Sequence, residues 1–185
     1  LHQHLHQHLQ RHRQHTQHPS NTHNTTATHT TPQHKVALTH SNRKRIPLVQ
    51  RRKARRVILQ AVYQWLMTQD NPKDIAKQYR EETEGKVDWD YFGEIFIEIP
   101  AQVEQLNEHL APVIDRELKS LDPIEKSLLY LGTYELAFRV DVPYRVVINE
   151  CVELAKVFGA TDGHKYINGV LDKLAKTLRA VERSA

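Results

Sequence analysis

Cysteine is nearly absent from this 185-residue chain. Cys151 stands alone, so no disulfide framework supports the fold, and the pattern fits a reducing, cytoplasmic setting. No apolar run reaches the about 18 residues that a membrane-spanning helix needs, and the N-terminus lacks the apolar stretch of a signal peptide. Also missing are GxxxxGK[ST], a GxGxxG after a strand, GxSxG, HExxH and CxxC, the short patterns that place phosphates, nucleophiles or metals. Beyond residue 45 only His109 and His164 remain, too few for a histidine metal site. The carboxylates are dispersed over polar helix faces. These absences argue against an enzyme, and no cofactor or metal is expected.

What is present is unevenly distributed. Residues 1–45 hold 11 of the 13 His, six Lys/Arg and no acid, with few apolar side chains. Such a stretch buries too little surface to offset its ordering entropy, so a disordered His/Gln/Thr-rich extension is expected over 1–47. His2, His4, His6 and His8 offer either loose metal chelation or plain low-complexity padding. The chain begins with Leu, and its one Met is Met67; a start assigned too far upstream, or a non-Met start codon, accounts for both the composition and the missing initiator. Five more cations fall within residues 51–56, RRKARR, leaving 15 cations against all 22 acids from residue 57 onward. The result is an acidic body with a basic N-terminal edge, a distribution that favours a polyanionic partner.

From residue 46 the apolar spacing is helical, and a folded domain is expected over 48–183. Helices are predicted at 49–68, 72–83, 88–110 with a break at Pro100, 112–119, 123–138, 143–158 and 163–181. Pro72, Pro123 and Pro143 fall at or near first turns, where a missing N–H costs nothing. Gly159 fits a helix C-terminus, and Gly132, inside LLYLGTYEL, fits close helix packing. In the first helix Ala54, Ile58, Ala61, Val62 and Trp65 form the apolar stripe, leaving Tyr63 exposed beside Arg52 and Arg56. The last helix aligns Ile167, Val170, Leu171, Leu174, Leu178 and Val181 inward, with Asp162, Lys165, Tyr166, Gly169 and Lys173 outward. Cys151 lies in the stripe of Ile148, Val152, Ala155 and Phe158, which reads as a core thiol. Glu135 falls amid Ile124, Leu128, Leu131, Tyr134 and Phe138, so it needs a partner, Arg55 being one candidate.

Cations at a helix N-terminus oppose the macrodipole, so helix stability alone does not account for RRKARR. An anionic partner would use them, and arginine's planar fork suits phosphate and base edges. An exposed aromatic such as Tyr166 can stack an unpaired base, which favours a single strand.

The segments RRKARRVILQAVYQW, WDYF, LDPIEKSLLYLGTYEL and DVPYRVVINECVELAKVFGATDGHKYINGVLDK, in this order across residues 48–180, resemble the NusB family of bacterial transcription antitermination factors. The resemblance implies an all-α fold of about seven helices in two three-helix subdomains. It also implies binding of the boxA element of ribosomal RNA leader transcripts together with a ribosomal protein of the small-subunit head, in a complex that makes RNA polymerase resist termination. Its arginine-rich RNA-binding start falls on Arg51, Arg52, Lys53, Arg55 and Arg56. A second RNA-facing segment falls on Asp162, Lys165 and Tyr166, and the protein-docking face on Tyr63 and Glu125. Pro100, Gly163 in place of Ser, and the His-rich extension depart from the family pattern. The alternatives are an RNA-binding module related to ribosomal RNA cytosine methyltransferases, against which stands the absence of a glycine-loop domain in this sequence, and a purely protein-docking module.

Overall fold

The computed structural model describes residues 46–184. The expected extension, apart from Ile46 and Pro47, lies outside the described residues, and so do His2, His4, His6 and His8. Among the described residues there are helices and no strand: α1 Leu48–Thr68, α2 Pro72–Glu82, α3 Trp89–Ala101, α4 Val103–Leu110, a 3-10 turn Leu118–Ser120, α5 Pro123–Phe138, α6 Tyr144–Phe158, α7 Gly163–Leu178 and α8 Ala180–Ser184.

Local chemistry explains the boundaries. Asn71 accepts from the Lys73 N–H (2.9 Å), Asp88 from that of Tyr91 (3.2 Å), and Asp122 from those of Ile124 and Glu125 (2.9 and 3.4 Å), so three helices start on side-chain caps. At the end of α1, Gln69 turns left-handed (φ 57°) and its amide donates to the Trp65 and Leu66 carbonyls. Pro100 remains within α3, and the break falls two residues later at Gln102, because a proline withholds one hydrogen bond yet fits the local φ. The helix expected at 112–119 does not form. Its residues make turns and the single 3-10 turn, held by half-buried Val113, Ile114 and Leu118 against the core.

Helices α1, α2 and α3 pack together, as do α5, α6 and α7, giving two three-helix groups, with α5 also packing on α1 and α3. The second group closes around Gly132, where a Cβ would come 2.7 Å from the Leu171 methyls and 3.3 Å from Cys151 Sγ. Cys151 is fully buried, and burial drives its thiol far above the ordinary range, as suits a packing residue. Two expected core positions instead face solvent: Phe138 (37% exposed) is the last residue of α5, and Val181 (85%) follows the break at Arg179 that ends α7, so that helix's stripe does not reach it.

Two buried arginines hold these helices in place, Arg55 between the two groups and Arg179 within the second. Arg55 of α1 donates to both carboxylate oxygens of Glu135 on α5 (2.8 and 3.1 Å) and to the Tyr91 hydroxyl on α3 (3.0 Å). The Tyr91 hydroxyl in turn donates to Glu135. Arg179 donates to the carbonyls of Glu135, Leu136, Arg139 and Val142 and to the Glu182 carboxylate, at 2.7 to 3.2 Å, so all five of its N–H groups are used. Burial raises the Glu135 pKa, and the Arg55 guanidinium opposes that shift. Glu135→Leu leaves the buried Arg55 guanidinium with only Glu150, 4.0 Å away, as a counter-charge, and urea denaturation should show a loss of about 3 kcal/mol. Arg55→Met combined with Glu135→Leu should recover most of that loss.

Candidate nucleic-acid interface

The first turns of α1 distribute the RRKARR cations over several surroundings. Arg55 points inward. Arg51 leans across the Tyr91 ring (4.6 Å to its centre) and pairs with Asp88 (3.3 Å), while Arg139 lies at 4.7 Å from the same ring. Lys53 donates to the Glu84 carbonyl, drawing it toward the loop after α2. Arg52 and Arg56 remain exposed. Arg52, with 68% of its side chain accessible, pairs with Glu150 of α6 (2.8 Å), and Arg56 lies over the Phe158 ring (5.0 Å).

Arg52, Lys53 and Arg56 form one rim of a groove of about 710 Å³ between α1 and α6. Val57, Leu154 and Val157 supply its apolar floor, and Glu150 and Glu153 its opposite wall. An apolar slot with arginines along one edge can take a sugar–phosphate strand with a base turned inward. Glu153 lies within electrostatic reach of Arg52 and His164, and its bond to Lys156 holds its carboxyl below the usual range.

From Phe158 the chain turns through Gly159 to Asp162, which is left-handed (φ 66°), and then enters α7. Gly159 is extended, not left-handed as a C-terminal glycine usually is; it is needed for space, since a Cβ would meet the Ala155 carbonyl oxygen at 2.6 Å. Asp162 and Lys165, at the start of α7, are exposed and paired (2.8 Å). Tyr166 is half-buried, with the Arg116 guanidinium 4.4 Å from its ring centre and Asp115 bound to Arg116 (2.8 Å). Burial and the Asp115 carboxylate raise the Tyr166 hydroxyl pKa.

Tyr166 is therefore grouped with Glu125 and not with the arginine rim. Glu125 is half-buried, its carboxyl raised by burial and by Asp122, and a Cβ on Gly163 would come 3.1 Å from its Oε1. The glycine at position 163 thus makes room for the glutamate. Tyr63 corrects the sequence reading: it is 2% exposed, not a surface residue beside Arg52 and Arg56. It shares their face of α1, but that face is open only in the first turns; further along, α5 covers it and brings Asp122 beside the ring. Sequence reasoning also passed over Arg116, assigned to a helix that does not form, and Glu150, whose pairing across helices leaves no sequence signal.

A family model described as NusB matches residues 52–176. The chain belongs to the NusB family. Transcription antitermination protein NusB of Pseudomonas entomophila is 52% identical over 133 residues, covering 71% of this chain and 80% of that protein. The NusB of Shewanella amazonensis is 51% identical over 126 residues, covering 68% of this chain and 94% of that one. Among solved structures, NusB of T. maritima superposes with a TM-score of 0.62 at 26% identity, covering 68% of this chain and 90% of its own. A crystal structure of NusB and NusE in complex with double-stranded RNA shares the fold, at a TM-score of 0.60 and 23% identity, covering 68% and 95%. These NusB relatives are named as antitermination proteins, not as enzymes. Among the described residues no group of His, Cys, Asp and Glu could hold a metal ion, and no helix is long and apolar enough to cross a membrane.

Burial of Tyr63 changes what its replacement tests. Tyr63→Asp should lower stability by about 3 kcal/mol or more in urea denaturation, because it sets an unpaired carboxylate in the core next to Asp122. Glu125→Lys, at a half-open position, should leave the thermal midpoint within about 2 °C of the parent.

Proposed function

We propose that this protein is a non-catalytic, cytoplasmic antitermination factor. It binds single-stranded boxA-type RNA of ribosomal RNA leader transcripts jointly with a small-subunit head ribosomal protein, and the assembly makes RNA polymerase resist termination. The observation that carries the reading is the exposed pair Arg52 and Arg56 on the rim of an apolar groove, in a chain about half identical to proteins named for antitermination. The partner classes follow those of the NusB seen with NusE and RNA.

In this reading Arg52 and Arg56 contact phosphates, and Asp162 and Lys165 extend the path past Phe158. Arg51 and Lys53 add attraction at longer range, and Arg55 positions α1 from inside. Tyr166 stacks a base with the ring that Arg116 now covers by the same kind of contact. The protein partner docks at the corner of half-buried Glu125, where Asp122 lies beside both Glu125 and the covered Tyr63.

Gel shifts with boxA-type RNA test the proposal. Arg52→Glu with Arg56→Glu should lower affinity by about 100-fold, with unchanged far-ultraviolet circular dichroism, because two phosphate contacts become repulsions. Equal affinity in the double variant would remove the arginine rim from the RNA role. Glu125→Lys should weaken capture of the ribosomal protein in a pull-down while leaving binding to RNA alone unchanged.

A further inference from the structure

The groove already contains an anion. Glu150, whose side chain is 16% exposed, accepts from Arg52 Nε at 2.8 Å, the contact that an RNA phosphate would make, and also lies 4.0 Å from Nη1 of buried Arg55. Arg55 is held by Glu135 and Tyr91, so it does not move when Arg52 does. If Arg52 swings out to a phosphate, Glu150 keeps a cation beside it, and the exchange leaves no charge orphaned. Glu153, the next acid along the same wall, is bonded to Lys156 and is not the partner of Arg52.

We propose that Glu150 is a built-in competitor for RNA phosphate, a specificity-determining residue that releases Arg52 only to a strand whose phosphate lies in register with it. This rests on the RNA-binding reading of the groove. Any polyanion can approach the basic edge, but one that does not seat a phosphate on Arg52 leaves the Arg52–Glu150 pair intact and gains nothing from that arginine. Attraction by net charge is thereby converted into recognition of strand geometry. The freed Glu150 also takes up a counterion, which offsets part of the salt released by the phosphate contact.

The test uses the full chain with Glu150→Gln, titrated by fluorescence anisotropy against boxA-type RNA and against poly(U) of equal length over a series of salt concentrations. Glu150→Gln should tighten binding to both RNAs, about threefold for boxA-type RNA and more for poly(U), so that discrimination narrows. The log–log salt slope should steepen by up to about 0.7, a change that loss of packing would not produce. Glu150→Asp, which keeps the charge but shortens its reach, should fall between, and in an Arg52→Ala background Glu150→Gln should have no effect. Unchanged or weaker binding by Glu150→Gln while the parent binds RNA, or the same tightening without Arg52, overturns the proposal and leaves the RNA role standing. Failure of the parent to bind either RNA overturns both.

Discussion

The ion pair of Arg55 with Glu135, closed by the Tyr91 hydroxyl, is the constraint on which the arrangement depends. It joins one helix from the second three-helix group to two from the first, in a place where none of the three polar groups can reach water. A buried pair adds little net stability over an apolar substitute, but it punishes misalignment, since any other rotation of α1 would strand a charge. Arg55 shares its two turns with Arg52 and Arg56. Fixing the inward arginine therefore fixes which arginines face out, so the interior sets the orientation of the exterior.

The basic edge is less free than a count of its cations implies. Arg51 is balanced by Asp88, Arg52 by Glu150 and Arg55 by Glu135. Each pair belongs to a different helix, so the acids that make the body negative are partly spent on ordering the cations. Preordered arginines lose less freedom when a ligand arrives, and such a surface gains selectivity at some expense of raw attraction.

Much of this was legible in the sequence because it rests on local rules. Proline starts, the apolar spacing of six helices, the packing role of Gly132 and the need of Glu135 for a partner all follow from residues within a few turns of one another. What was not legible depends on which helix lies across the way. Tyr63 has the same angular position as Arg52 and Arg56, and only the placement of α5 separates their surroundings. Val181 falls past the break at Arg179, so the stripe of α7 does not reach it. The 112–119 segment has helical spacing, yet its apolar residues Val113, Ile114 and Leu118 pack on the core from turns instead. Arg116 reaches Tyr166, and Glu150 reaches Arg52, across distances in sequence that no periodicity encodes.

Arg179 has a consequence for the order in which the protein can be made. Its guanidinium closes the C-terminal carbonyls of α5, 44 residues upstream in the case of Glu135, and no other side chain is bonded to those oxygens among the hydrogen bonds described. α5 is also the helix that supplies Glu135 to α1. During synthesis, then, the arginines near the start of the fold leave the ribosome first and meet their partners later: Arg55 needs Glu135, 80 residues on, and Arg52 needs Glu150, 98 residues on. The basic edge of α1 is therefore finished by residues of the second group, made well after the arginines themselves.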